Sequence, residues 1–352
     1  MYKMGNKTDP GDLIDKINML DIVLTLAGAS LSIVGAFVLF FAHYLRHKSG
    51  KPTNEVRQFL IFLTIADMFN ALGLLYGVAN FLNSEDSTDE KVAACHRHEE
   101  LGCIAQSYMT TLFGMSSFFW TTIIAFHLFW TYEENSPSSI KKTILYHVIN
   151  WGIPFAITTA AVSKNVLGSD LSVGSGAWCW ISACLPHYDR TLWMTISLKG
   201  WEILMYFSCC AFYLLIKWRK IKIRRHRRKM NIGLSLSPSQ TAVQSDVETK
   251  PHEDIRFLLL WLFEVSLRIF GTVRYLTAAV KRHTAKDLKD YNSVDKVLLH
   301  FQSFGDSAQA LCSCLLFCIF DKEMRNLLKD KIVCNHKRSE KRPLLTRQTT
   351  VC

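Results

Sequence analysis

Cys103-Ile-Ala-Gln-Ser-Tyr-Met-Thr-Thr-Leu-Phe-Gly-Met-Ser-Ser-Phe-Phe-Trp-Thr-Thr-Ile-Ile-Ala-Phe-His-Leu-Phe-Trp130 holds no Asp, Glu, Lys or Arg. As a helix rising about 1.5 Å per residue, such a stretch crosses the ~30 Å hydrocarbon core of a bilayer. Six more apolar runs flank it, at 22–42, 58–82, 143–162, 191–216, 257–280 and 294–320, with the polar residues pushed into the gaps. The chain of 352 residues is 49% apolar and carries a net charge of +11. That apolar share alone is ordinary for a soluble domain, and the grouping into blocks is what decides. The fold class read from this pattern is an all-α membrane protein, a seven-transmembrane helix bundle.

The divisions expected are an extracellular N-terminus at 1–20 and the bundle at 21–320, with a third cytoplasmic loop at 217–256. A short amphipathic eighth helix at 321–333 and a cytoplasmic tail at 334–352 complete the chain. The eighth helix rests on Phe320, Met324, Leu327, Leu328 and Ile332 at helical spacing, which suits the inner leaflet. The first twenty residues lack the apolar core of a signal peptide, so the first span is expected to direct insertion.

Charge sets the expected orientation. Of the 41 Lys and Arg, roughly 26 fall in the loops 1–2, 3–4 and 5–6 and the C-terminus, which the positive-inside rule places in the cytoplasm. Asn6-Lys7-Thr8, the one Asn-x-Ser/Thr sequon in the sequence, then lies outside, making Asn6 the glycosylation candidate. A plasma-membrane protein with N-terminus out and C-terminus in follows. The same orientation puts Cys95, Cys103, Cys179 and Cys184 in an oxidising space. Four cysteines allow three pairings. Cys103 with Cys179 is favoured, because it would pin the loop Gly176-Ala-Trp-Cys-Trp-Ile181 over the bundle, and it leaves Cys95 with Cys184. The plain alternative is two unrelated aromatics and a buried thiol. Cys95-His96-Arg97-His98 resembles a metal site, but two histidines are too few once Cys95 is bridged, so a surface loop is the better reading. Neither a metal nor a cofactor is expected.

The run Arg219, Lys220, Lys222, Arg224, Arg225, Arg227, Arg228, Lys229 admits two readings. Nucleic-acid binding is one. Extension of helix 5 along anionic membrane lipids, offering Arg219, Lys220, Arg224 and Arg225 to a partner, is preferred, and no nucleic acid is expected. Cys334 is a palmitoylation candidate.

Seven helices, an external N-terminus and an eighth amphipathic helix resemble the G protein-coupled receptor architecture. Phe59-Leu-Ile-Phe-Leu-Thr-Ile-Ala-Asp67, Ser116-Ser-Phe-Phe-Trp-Thr121, Trp151-Gly-Ile-Pro154, Trp178-Cys-Trp-Ile181, Leu192-Trp-Met194 and Lys199-Gly-Trp-Glu202 resemble the orphan G-protein coupled receptor 157 family. That family is itself similar to the cyclic-AMP-receptor-like and secretin-like groups. The resemblance spans about residues 20–325. It implies a receptor that passes an extracellular ligand's signal to a heterotrimeric G protein through movement of helices 5 and 6. Helix 3 ends Phe129-Trp-Thr-Tyr-Glu-Glu134 without Asp-Arg-Tyr, and helix 7 ends Cys312-Ser-Cys-Leu-Leu-Phe-Cys-Ile-Phe320 without Asn-Pro-x-x-Tyr. The switch residues of rhodopsin-like receptors therefore do not carry over.

Candidate switch residues are the charges at bilayer depth, which are costly unless paired or functional. Asp67 and Asp306 fall near mid-membrane, either sharing a water- or ion-containing site or hydrated separately. Arg268 can pair with Glu202 across helices or with Glu264 one turn away. Lys199 and Arg274, with Tyr108, Trp178, Trp180, Trp193 and Tyr275, suggest a cationic, aromatic pocket for an anionic or amphiphilic small molecule. Arg274 alternatively snorkels to the outer headgroups, for which Lys199 is too deep.

An enzyme is disfavoured, since the spans hold no His-Glu-x-x-His, phosphate-cradling glycine loop or Ser/His/Asp array. A retinal protein needs a lysine deep in helix 7, and Lys296 stands at its mouth. A seven-helix transporter or channel remains the alternative, although no half repeats the other and Pro154 is the only proline within a span.

Overall fold

The protein is seen in a computed structural model that describes residues 19–50, 55–83, 101–134, 140–169, 178–233, 251–284, 291–319, 324–326 and 328–329. Seven helical rods pass through it. α1 is Met19–Lys48, α2 Glu55–Asn83 and α3 Leu101–Glu134. α4 runs Ile140–Ser163, with a π-helical turn at Val148–Gly152. α5 begins at His187–Met194, widens into a π turn at Thr195–Lys199, and continues as Gly200–Gly233. α6 is Pro251–Thr284. α7 runs Tyr291–Ser307, breaks at Ala308, and resumes as Gln309–Cys314 and a π turn Leu315–Ile319. Residues 324–326 and 328–329 are helical, and Met324 is buried in the core. The remainder of the expected eighth helix lies outside the described residues.

The distribution of polarity is inverted relative to a soluble protein. Asp67, Thr64, Ser116, Asn150 and Glu202 are buried, while Phe37, Phe41, Phe155, Phe207 and Leu214 face outward. Lipid tails solvate those rings, and every backbone group in such a medium must be bonded internally, which helices achieve. α1 through α5 are long and apolar enough to cross a membrane. α6 carries Glu264, Arg268 and Arg274 and α7 carries Asp306, and all four side chains point into the bundle.

α3 is the central post, packing against α2, α4, α5 and α6. Its lower half is locked by aromatics. Trp120 stacks on Phe62 at 5.2 Å and meets Trp151 edge-on at 6.1 Å, joining α2, α3 and α4. α1 receives α7 on a stripe of small residues, Gly28, Ser32 and Gly35, as close helix approach in a membrane requires. A Cβ on Gly28 would sit 2.1 Å from Ser307 Oγ.

Helix extends into the stretch assigned to the third loop, as the preferred reading of the basic run has it, and α7 carries a break. The stretch 217–256 is helical at both ends, since α5 continues to Gly233 and α6 starts at Pro251. Lys and Arg are good helix formers, so the basic run prolongs α5. The break in α7 has no proline to announce it. Ser32 explains it: its hydroxyl donates to Ser307 O at 2.6 Å and accepts Leu311 N–H at 3.4 Å. A side chain from α1 thus stands in the hydrogen-bond ladder of α7, a recognised cause of kinks.

Candidate functional site

The site is roofed by the stretch between α4 and α5. After Ser163 the chain turns through Asn165, whose φ of 53° is the left-handed conformation that Asn tolerates best among residues with a Cβ. It then forms β1, Leu167–Gly168, which pairs antiparallel with β2, Trp180–Ile181. Cys179 is bridged to Cys103 on α3, with Cα atoms 5.6 Å apart. Three hydrogen bonds reinforce the clasp. Ser107 Oγ donates to Trp180 O at 2.7 Å, Gln106 Oε1 accepts Cys179 N–H at 2.7 Å, and Gln106 Nε2 donates to Thr110 Oγ1 at 3.2 Å. Trp180 is buried as a result. Cys184 is also disulfide-bonded. Its expected partner Cys95 lies outside the described residues, as do Asn6 and Cys334.

Beneath the roof lies a buried charge cluster. Lys199 ends the π turn of α5, and its Nζ donates to Glu202 Oε2 at 2.9 Å. The other Glu202 oxygen accepts from Tyr206 Oη at 2.8 Å and from Thr272 Oγ1 on α6. Arg268 sits among three carboxylates on three helices. Its Nη1 is 4.0 Å from Glu202 Oε2 on α5 and 3.9 Å from Asp306 Oδ1 on α7, and its Nε is 3.9 Å from Glu264 Oε2 on α6. Its guanidinium also lies 4.4 Å from the Phe118 ring centroid on α3, a cation–π contact. The two pairings that the sequence left in competition are both present. Such a cluster holds three helices together only while its geometry is kept, because removing one member strands a buried charge.

Asp67 accepts from Ser117 Oγ at 2.6 Å. Asp306 accepts from Gln302 Nε2 at 3.1 Å, and its backbone carbonyl from Asn70 Nδ2 at 3.4 Å. The two aspartates thus have separate first partners.

Above the cluster a narrow cavity opens, walled by Trp178, Trp180, Lys199, Arg268, Asp306 and Asn70. It encloses about 450 Å³ including its mouth, of which about 40 Å³ admits the centre of a water molecule. Tyr108, Trp193, Arg274 and Tyr275 stand outside this wall. Tyr108 Oη is 3.3 Å from Thr159 Oγ1 on α4, and Tyr275 Oη is 2.5 Å from Thr195 Oγ1 on α5. Trp193 packs with Met194 and Ile181 under the roof. Arg274 does not snorkel. It is buried, with Nε 2.9 Å and Nη2 3.3 Å from the two oxygens of Asp295 on α7, and Nη1 2.7 Å from Gln302 Oε1. A carboxylate at the mouth of α7 satisfies the guanidinium at lower cost than a reach to the headgroups.

Asp295 and Asp21 are site residues that the sequence reading does not single out, both lying at the edge of an apolar run; Asp21 is buried at the start of α1 and sits 2.6 Å from His300 Nδ1 on α7. Arg274 spaced 21 residues from Asp295 across one short loop was the available signal. At the opposite end, Arg219 lies 4.2 Å from the Phe129 ring centroid. Lys220 is half-buried and Arg225 exposed, whereas the Arg224 side chain is outside the described residues.

Comparison with known proteins places the chain among relatives by sequence and by fold. The chain is 29% identical over 322 residues to G-protein coupled receptor 157 of Mus musculus, covering 91% of this chain and 88% of the relative. It is 28% identical to the Homo sapiens protein of that name, covering 87% and 82%. Cyclic AMP receptor-like protein C of Dictyostelium discoideum is 24% identical over 61% of this chain and 55% of its own. Squid rhodopsin shares the fold, with a TM-score of 0.59 at 9% identity over 94% of this chain and 87% of that one. The family described as 7 transmembrane receptor (Secretin family) matches residues 19–231. The chain therefore belongs to the secretin family of seven-transmembrane receptors.

Proposed function

We propose that this receptor carries an extracellular ligand's signal to a heterotrimeric G protein by moving α5 and α6 apart from the bundle at the end opposite the disulfide. The disulfide end faces outside the plasma membrane and the basic end faces the cytoplasm, in keeping with the Lys and Arg asymmetry and the oxidising space that disulfides need. Asn6 then carries a glycan, and Cys334 after the eighth helix at 321–333 an acyl anchor. The basic end of α5, with Arg219, Lys220, Arg224 and Arg225, meets the G protein and anionic lipid.

The observation that carries this reading is Arg268 within 4.0 Å of carboxylates on α5, α6 and α7. α6 cannot swing without changing those contacts, so the cluster biases two states of the bundle, as a switch requires. The cavity lies directly on it, so a ligand there touches Lys199, Arg268 and Asp306. The test is a panel of Gα-coupled second-messenger assays in expressing cells, wild type against Arg268→Met. Altered basal signalling in one channel supports the reading. Silence in every channel, with ligand-independent solute flux, would favour a transporter or channel.

A further inference from the structure

We infer that the π turn of α5 at Thr195–Lys199 is a register switch, in which Ile196 O passes from the Trp201 indole to the Gly200 N–H and the helix above the turn rotates. This deepens the receptor reading and rests on it for the claim that the register signals. The register itself stands on the hydrogen bonds of α5.

π turns are rare inside α-helices and concentrate at functional sites. The one in α4 has a covalent cause. It runs into Pro154, which lacks an N–H and whose ring crowds the carbonyl four residues back. α5 contains no proline from His187 to Gly233, so its turn is held open by other means. In an α-helix the Gly200 N–H would bond Ile196 O, four residues back. Here it bonds Thr195 O, five residues back. Trp201 Nε1 takes the released Ile196 O at 2.7 Å. Glycine at 200 makes the wide turn possible, because a Cβ there would lie 2.7 Å from Thr195 O.

The two registers differ by little. Tightening to α returns the Gly200 N–H to Ile196 O and brings the Lys199 N–H to Thr195 O, so both carbonyls stay bonded. What changes is one indole hydrogen bond, worth about threefold to tenfold in population. A π turn holds one residue more than the α turn it replaces, so tightening rotates the upper segment by about 100° against the lower. Above the turn, Thr195 Oγ1 is 2.5 Å from Tyr275 Oη on α6, and Ile196 takes that position in the tight register. Below the turn, Glu202 accepts from Lys199 and from Thr272 on α6. Leu198 and Lys199 belong to the turn and line the cavity. An occupant of the cavity therefore touches the element that sets how α5 meets α6 on both sides of it, as a two-state switch requires.

Paired cysteines on the full chain in lipid nanodiscs report the register. Thr195→Cys with Tyr275→Cys, and Ile196→Cys with Tyr275→Cys, are treated with a short bifunctional thiol reagent, and the linked peptides are quantified by mass spectrometry. In the otherwise wild-type chain the link from position 195 should dominate. Trp201→Phe keeps a ring against Phe119, 5.0 Å away between centroids, and loses the donor. It should raise the link from 196 relative to that from 195 about threefold to tenfold, and basal second-messenger output per surface receptor should change with it. Gly200→Ala should act in the same direction through its Cβ, and if it does not fold, Trp201→Phe carries the test. A link ratio unmoved by Trp201→Phe overturns the proposal, as does a moved ratio with wild-type output in a receptor that couples. A moved ratio without coupling in any Gα channel would sink the receptor reading and leave the register device standing. Coupling with an unmoved ratio would do the reverse.

Discussion

Ser32 on α1 donates its hydroxyl to the carbonyl of Ser307 on α7 at 2.6 Å, one residue before that helix breaks at Ala308. The same oxygen accepts the Leu311 N–H at 3.4 Å. The two ends that an unbroken ladder would join are therefore held by a neighbouring helix. Ser32→Ala removes both contacts and should cost about 1–2 kcal/mol, unless α7 closes its own ladder. Hydrogen exchange separates the outcomes. Faster exchange at Leu311 marks a bond simply lost, and slower exchange marks a straightened helix.

Gly305 presents a different constraint on α7. A Cβ there would lie 2.0 Å from Leu267 O on α6. Gly305→Ala must push α6 and α7 apart, at a cost of about 1–3 kcal/mol. A lower melting temperature of the purified receptor is expected, and an unchanged one would mean that the helix contact is slack.

For the clasp, Cys179→Ser opens a loop closed over a sequence separation of 76. Chain entropy alone puts the loss at up to about 4.5 kcal/mol, an upper figure for helices already held in a membrane. Surface delivery should fall sharply. Ser107→Ala, which removes one hydrogen bond to Trp180 O, should cost about 1 kcal/mol and spare delivery. Surface biotinylation of both variants in parallel measures the difference.

At the charge cluster, Glu202→Gln and Arg268→Met should raise basal signalling, because each loosens the hold of α5 on α6. A change of about 1.4 kcal/mol between the two states shifts their ratio tenfold. Arg268→Met takes the cation from Glu264 and Asp306, leaving Glu202 to Lys199, and should also lower surface expression, as loss of one partner of a buried charge group costs about 3–5 kcal/mol. Glu264→Gln leaves Arg268 with Glu202 and Asp306 and should express better than Arg268→Met. Second-messenger output normalised to surface receptor is the measurement, and flat basal output from both Glu202→Gln and Arg268→Met would remove the lock.

The sequence by itself determined the number and rough extent of the spans, because a bilayer demands an uninterrupted apolar length that composition displays directly. It also determined that Cys103 and Cys179 were candidates for one bridge, and that Asp67, Glu202, Glu264, Arg268 and Asp306 needed explanation, since charge at bilayer depth is rare. Only the tertiary structure decided how those charges are shared. Arg268 meets Glu202, Glu264 and Asp306 together because three helices converge, and a pairing across helices leaves no spacing signature in one chain. It likewise moved Arg274 from the headgroups to Asp295 and left Tyr108, Trp193 and Tyr275 outside the cavity wall, for side-chain direction depends on helix rotation. The interruption of α7 was invisible for the same reason. Its cause is the hydroxyl of Ser32, 275 residues away along the chain, and no local propensity encodes a partner at that distance.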